Sequence, residues 1–182
     1  MATKNAKPSW TDIKAKLADF DRAGLLALVR DLYAASKDTQ AFLHTRLHLG
    51  EDVLKPYKAT IDRWLWPDVF KNQNHSVAKA KKAIADYKKA GGTPDGLAEL
   101  LVFYCEQASS FSRDVGLQDE GYFGALVRMF GETLKAIADL PQPQRPTLWL
   151  RIDAVCLASH DIGYGVGEGM DSVLAEHGRD DD

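Results

Sequence analysis

Apolar residues recur every three or four positions along almost the whole chain, a spacing that places them on one face of an α-helix. The repeating residues of the first segment are Trp10, Ile13 and Leu17, and those of the second are Leu25, Leu28, Val29, Leu32 and Tyr33. No segment shows the strict alternation of apolar and polar residues that is typical of a half-buried strand. The pattern predicts an all-α protein in which both of these apolar faces point inward.

Capping residues divide the periodic pattern into eight or nine helices. Ser9, Asp21, Ser76 and Thr93 each precede a periodic segment, and their side-chain oxygens can accept a hydrogen bond from the first turn. Pro94 follows Thr93 and suits the first helical position. The connections between segments are short, which favours an irregular helical bundle or a short stack of helical hairpins.

The helices are expected to form a single domain over residues 1–182, with frayed ends at 1–8 and 178–182. The segment 146–159, TLWLRIDAVCLAS with its leading proline, is the most uniformly apolar of all. A helix that is apolar on every side is typical of the interior of a protein. We therefore expect this helix to be the central one.

The charge of the chain is unevenly distributed. Residues 1–92 contain 17 Lys and Arg against 10 Asp and Glu, whereas residues 93–182 contain 6 against 16. Such polarity is typical of a dipolar surface or of contact between oppositely charged halves of two molecules. The pattern therefore favours self-association, with a homodimer as the simplest form.

The compartment is predicted from the thiols and from the apolar segments. Cys105 and Cys156 each lie within an apolar helical pattern, as reduced, buried thiols of cytoplasmic proteins do. No apolar run reaches the roughly 18 to 20 residues of a membrane span, and the first ten residues lack the apolar core of a signal peptide. We expect a cytoplasmic protein without a membrane partner.

Four blocks of sequence occur in a recognisable order between about residues 55 and 175. They read SVAKAKKAIADYKKAG, GLAELLVFYCEQASSFSRDVG, EGYFGALVRMFGETL and DIGYG. Together they resemble an uncharacterised family of small all-helical bacterial proteins, catalogued as a domain of unknown function. The family pattern has Thr where this chain has Ser112, and an aromatic residue followed by Gly-Asp near Val115. The resemblance implies a helical fold and a bacterial setting, and it carries no activity, cofactor or catalytic residue.

Two histidines have the spacing that zinc-binding helices use. His44 and His48 are four residues apart and are predicted to share a helix face. A zinc protease motif would need Glu directly after the first histidine, and Thr45 stands there instead. The pair nevertheless defines one alternative function, a metal-dependent enzyme that uses His44 and His48.

The predicted helix 77–89 is rich in lysine, and its first half contains Lys79, Lys81 and Lys82. Trp64 and Trp66 lie a short loop upstream, so a basic surface with stacking aromatic residues is conceivable. Arginine, which reads bases better than lysine does, is absent from the helix. Nucleic-acid binding through this helix is the other alternative function.

The segment HDIGYGVGEGMD, residues 160–171, has glycine at every second position from 163 to 169. Its glycine spacing fits neither a dinucleotide-binding fingerprint nor a P-loop, and its acidic residues would repel a phosphate. We expect a helix that ends near 162, a turn permitted by glycine, and a last helix that starts between 166 and 168. His160, Asp161 and Tyr164 are candidates for a pocket or a partner surface.

The function that these patterns favour is a non-enzymatic helical binding or scaffold protein of the bacterial cytoplasm. It would act through protein–protein contact or self-association, without a cofactor and without catalytic residues. A nearby thiol, Cys156, lies in the middle of a helix, where burial is expected to raise its pKa and make it unreactive. The sequence contains no constellation that specifies a reaction, so binding is preferred over catalysis.

Overall fold

A computed structural model describes residues 7–177, and within them the chain forms nine α-helices, three short 3₁₀-helices and no strand. The α-helices are α1 Trp10–Leu17, α2 Arg22–Ala35, α3 Lys37–Arg46, α4 Lys55–Leu65, α5 Val77–Lys89, α6 Pro94–Val115, α7 Glu120–Ala138, α8 Arg145–Ser159 and α9 Val166–Glu176. The 3₁₀-helices are Val69–Lys71, Gln142–Gln144 and His160–Ile162. The prediction of an all-α bundle is confirmed. Of the predicted frayed ends, residues 1–6 and 178–182 lie outside the described part of the chain.

The predicted caps begin the helices as expected. The side chains of Ser9, Asp21, Ser76 and Thr93 each accept a hydrogen bond from a backbone N–H in the first turn of the helix that follows. Each cap satisfies a donor that the helix itself leaves without a partner. Within residues 7–177, no helix has the length and apolarity that crossing a bilayer requires.

The core surrounds α6 and α7, which pack against each other, while α6 also packs against α4 and α8 and α7 packs against α9. The largest fully buried side chains are Tyr87, Tyr104, Tyr122, Phe130, Ile61, Leu65, Leu100, Leu101, Leu126, Met129, Leu134 and Ile137. The prediction that α8 is the central helix is wrong. Leu150 and Leu157 of α8 expose 72% and 77% of their surface, because only the opposite face of α8 packs against the core.

The glycine-rich segment forms the predicted turn between α8 and α9. The 3₁₀-helix ends at Ile162, and α9 begins at Val166. Gly163, Tyr164 and Gly165 have φ angles of 75°, 53° and 72°, all in the left-handed region. The Tyr164 ring stacks on Phe123 with 5.4 Å between centroids. The predicted turn between the two helices is confirmed, and three successive residues with positive φ redirect the chain there.

We expect Gly163→Ala and Gly165→Ala each to lower the free energy of unfolding by about 1 kcal/mol, because a Cβ disfavours the left-handed conformation. Neither Cβ would meet another atom within 4 Å, so the cost comes from the backbone alone. Gly169→Ala, inside α9, is the matched control, since its Cβ would lie 3.5 Å from Val127 in ordinary contact. Urea unfolding of the three variants makes the comparison, and a uniform effect across them would contradict the assignment.

Candidate protein-interaction surface

Residues 10–49, called the N-terminal arm below, expose a concentration of large apolar side chains. Helices α1 and α2 contain no buried residue. Helix α2 packs against α3, and α3 in turn packs against α5. The arm is therefore joined to the core through its last helix and leaves its first two helices at the surface.

The exposed side chains of the arm are mostly leucine and aromatic residues. Trp10, Leu26 and Leu32 expose 67%, 60% and 50% of their surface. The others, each between 37% and 59% exposed, are Ile13, Phe20, Leu25, Val29, Tyr33, Phe42, Leu47 and Leu49. Single exposed leucines are ordinary on a protein surface, whereas a large collection of them marks an interaction site.

The prediction that the apolar faces of α1 and α2 point into the core is wrong. Periodicity correctly identifies the apolar face of each helix, since Trp10 and Ile13 share one face, as do Leu25 and Leu32. The pattern carries no information about what covers that face. In the described part of the chain these side chains remain open to solvent.

The apolar stripe of α2 is well defined by its spacing. Leu25, Val29 and Leu32 follow one another at intervals of four and three residues and so lie along one side of the helix. Arg30 and Asp31 occupy the opposite side, where they form an exposed ion pair of 3.5 Å. The side of α2 opposite the stripe thus carries charges of both signs.

The base of the arm is fixed to the core by buried contacts at the end of α3. Thr45 is 2% exposed, and its hydroxyl lies 3.1 Å from the Tyr57 hydroxyl of α4. The Tyr57 ring in turn meets Tyr87 edge to face at 5.2 Å. The Arg46 guanidinium lies against Gly91, where a Cβ would come within 2.9 Å of Nη1. These contacts hold α3, and through it the arm, in one position.

The structure does not place His44 and His48 on one helix face. Helix α3 ends at Arg46, and His48 adopts a left-handed φ of 52° beyond it. His44 Nε2 lies 3.0 Å from the Tyr33 hydroxyl, which ties α3 to α2. Within residues 7–177, no three His, Cys, Asp or Glu side chains are arranged to hold a metal ion. Helix periodicity fails for this pair because the helix ends between the two residues.

The three lysines in the first half of helix α5 differ in their partners. Lys79 Nζ lies 3.7 Å from the centroid of the Trp64 ring, and Lys82 forms an ion pair with Asp86 one turn later. Lys81 is partly exposed. Because Lys79 covers the Trp64 ring, this indole is less open to base stacking than the sequence suggested. Nucleic-acid binding stays a prediction.

His160 and Asp161 each contact a side chain of another helix at the end of α8. His160 Nε2 lies 3.2 Å from Asp171 Oδ2, and the imidazole packs on Gly167, where a Cβ would come within 2.5 Å of it. Asp161 pairs with Arg113 at 3.3 Å. Tyr164, in contrast, exposes 63% of its surface. These two contacts connect α9 and α6 to this corner, so His160 and Asp161 contribute to the packing of neighbouring helices.

Cys156 lies beside the same corner, and its thiol donates a hydrogen bond to Asp171 Oδ1 at 3.4 Å. Burial, reinforced by the Asp171 carboxylate, raises the pKa of Cys156 to about 12. Burial also raises the pKa of Cys105 to about 12. The expectation of buried thiols with low reactivity is confirmed.

A charged network that the sequence reasoning missed joins α4, α6 and α8. Arg151 donates two hydrogen bonds of 2.8 Å to Glu106 and one of 2.5 Å to Glu99. Lys58 donates to the other oxygen of Glu99 at 2.6 Å. Burial raises the pKa of Glu99, but the hydrogen bonds from Arg151 and Lys58 outweigh it and hold that pKa below its usual value. The side chains are 21% to 31% exposed, so the network is largely enclosed.

Two grooves lie on the core and are lined by apolar, charged and hydroxyl side chains. The first, of about 280 Å³, has an apolar floor at Leu97 and Leu101 with Lys88, Lys135, Glu132 and Asp139 around it. The second, of about 240 Å³ between α6 and α8, contains Ser109, whose hydroxyl lies 3.0 Å from that of Ser159. In the second groove, which Glu106, Arg113 and Arg151 also line, the side chain that the Ser109 hydroxyl contacts is another serine. The N-terminal arm is the surface feature that most needs a partner.

Comparison with protein-family models, curated proteins and solved structures gives no significant match. The resemblance inferred from the four sequence blocks therefore stays a prediction.

Proposed function

We propose that the protein is a non-enzymatic helical binding protein of the bacterial cytoplasm, and that it acts by protein–protein contact through its N-terminal arm. The exposed apolar face of α1 and α2 is the observation that carries this proposal. The bacterial setting rests on the resemblance, and the cytoplasmic location rests on two unpaired, buried thiols.

Helix physics supports the proposal. Isolated helices shorter than about 12 to 15 residues are marginal in water, and most helical stability in proteins comes from packing of an apolar face. Helix α1 has 8 residues and α2 has 14, and neither buries a side chain. A partner that covers these faces would supply the packing that the chain itself does not.

The amount of apolar surface points the same way. At the fractions given above, the eleven exposed apolar side chains of the arm together present on the order of 1,000 Å² of surface, distributed over three helices and their connections. A standard protein interface buries about 800 Å² from each partner. The arm therefore offers enough surface for a specific complex.

Photo-cross-linking tests the proposal in cells of the source organism. With benzoylphenylalanine in place of Val29, we expect a cross-link whose partner peptide is identified by mass spectrometry. Adding Leu32→Asp should remove the cross-link, because it places a carboxylate within the apolar stripe. The same probe in place of Ala85, exposed on α5, is the control position. No cross-link at position 29 would refute contact through the arm.

A further inference from the structure

We propose that the partner of the N-terminal arm is a second copy of this chain, and that two arms pair through α2 about a two-fold axis. This inference rests on the proposed function, because it names the partner of the same surface. Most soluble homo-oligomers are closed and symmetric, and a two-fold interface uses the same patch on both subunits. A patch can serve in this way only if it is complementary to itself.

The stripe on α2 meets this requirement. Leu25 and Leu32 lie at equal distances from a point midway between Leu28 and Val29. When two copies of α2 lie antiparallel with that point on the axis, Leu25 of each copy faces Leu32 of the other. Leu28, which is half-buried within the chain, then lies opposite Val29. Every residue of the stripe thus meets an apolar residue. A Leu25–Leu32 contact lies on each side of the Leu28–Val29 contacts at the axis.

The charge of the arm permits such pairing. Residues 10–49 contain six Lys and Arg and five Asp, so the arm is close to neutral although the first half of the chain is strongly basic. Two arms can therefore approach with little repulsion. The basic excess lies in residues 50–92, which contain nine Lys and Arg against five Asp and Glu. Residues 50–92 include α4 and α5, which belong to the core and lie outside the proposed α2 interface.

The area that each arm presents also fits a dimer. The whole arm totals on the order of 1,000 Å² of exposed apolar side chain, so α2 supplies only part of the roughly 800 Å² that each partner contributes to a standard interface, and α1 must supply more. Trp10 and Ile13 of α1 extend the apolar surface beyond α2. A pair of arms would therefore form a small helical bundle with its own apolar interior.

The other exposed apolar stripe of the chain provides the matched control. Leu150 and Leu157 lie seven residues apart on the outer face of α8, and both are more exposed than the residues of the arm. If the arm instead docked on α8 of the next molecule, the contact would be head-to-tail. Replacing two leucines there is chemically equivalent to replacing two residues of the arm, so the two double variants distinguish the geometries.

Sedimentation equilibrium of the full chain tests the inference. We expect a dimer for the natural sequence and for Leu150→Asp/Leu157→Asp. We expect Val29→Asp/Leu32→Asp to weaken the dimer by more than about 30-fold, the effect of losing a residue that dominates an interface. Because Val29 and Leu32 are exposed and lie outside the core, circular dichroism should show the same melting of the core in both variants.

A second measurement reports the geometry. Val29→Cys places a thiol beside the axis, so a short bismaleimide should join two chains there. Ala85→Cys, on the core, should give no such product, and the native thiols are buried. Failure of Val29→Cys to cross-link in a sample that sediments as a dimer would overturn the two-fold pairing through α2.

The outcomes separate this inference from the proposed function. A natural chain that stays monomeric, while the probe at position 29 joins it to a different protein in cells, overturns self-pairing and leaves the proposed function standing. A monomer with no cross-link in cells overturns both. A dimer that Leu150→Asp/Leu157→Asp dissociates and the arm variant does not would assign the interface to α8 and overturn the inference.

Discussion

Gly96→Ala is expected to lower the free energy of unfolding by about 3 kcal/mol, the upper part of the range for forcing extra atoms into a packed site. A Cβ at position 96 would lie 2.0 Å from the hydroxyl oxygen of Tyr87 and 3.2 Å from Leu54. Tyr87 cannot move away easily, since it is 1% exposed and its hydroxyl accepts a 3.1 Å hydrogen bond from the Thr93 N–H. The third residue of helix α6 must therefore be glycine.

Urea unfolding in two backgrounds measures the effect and identifies its cause. Gly124→Ala is the control within a helix, because its Cβ would meet only the flexible end of Arg128 at 3.3 Å. In a Tyr87→Phe background the hydroxyl is absent, and the nearest ring carbon is 2.9 Å from the new Cβ. The cost of Gly96→Ala should then fall by about 1 kcal/mol or more, as expected for residues in contact. An equal cost in both backgrounds would mean that the glycine is needed for its backbone alone.

The start of α6 shows how far sequence reasoning reaches. Thr93 and Pro94 predict the start of the helix, because capping and a fixed φ are local properties of the chain. The clash between position 96 and Tyr87 is a tertiary contact that no local pattern encodes. In the same way, periodicity located the apolar face of α2 but did not reveal that Leu32 stays exposed. Burial depends on which elements meet, and that is set by the whole fold.

The candidate sites show the same difference between local signals, which the sequence contains, and tertiary contacts, which it does not reveal. The pairing of His44 with His48 failed because a helix end lies between them, and helix ends are the least reliable part of a periodic pattern. The network around Arg151 escaped notice because its members come from three helices. One signal was available: Glu99 and Glu106 are seven residues apart and thus lie on one side of α6, where two partly buried carboxylates favour a nearby cation. The sequence pattern did not indicate that Arg151 of α8 would supply this cation.

Arg151→Met is expected to lower the free energy of unfolding by about 2 kcal/mol at neutral pH. Removing one partner of a fully buried ion pair costs about 3 to 5 kcal/mol, and partial exposure of this network reduces the effect. The variant leaves Glu106 without its two hydrogen bonds from the guanidinium, while Lys58 still neutralises Glu99. Methionine keeps most of the volume, so little of the loss comes from a cavity. Arg128→Met, on the exposed face of α7, is the matched control and should be nearly neutral.

The pH dependence distinguishes loss of the network from loss of packing. The pKa of Glu99 is held below its ordinary value of 4.5 in the folded protein, so its ion pairs stabilise the fold above that pH and cease to do so as the pH falls through the lower, folded value. The natural chain should therefore lose stability on acidification, and Arg151→Met should lose less because it has already lost the guanidinium. The difference in unfolding free energy between the two proteins is expected to narrow between neutral pH and about pH 3. A difference that stays constant over that range would assign the effect of Arg151 to the packing of its side-chain carbons against α6.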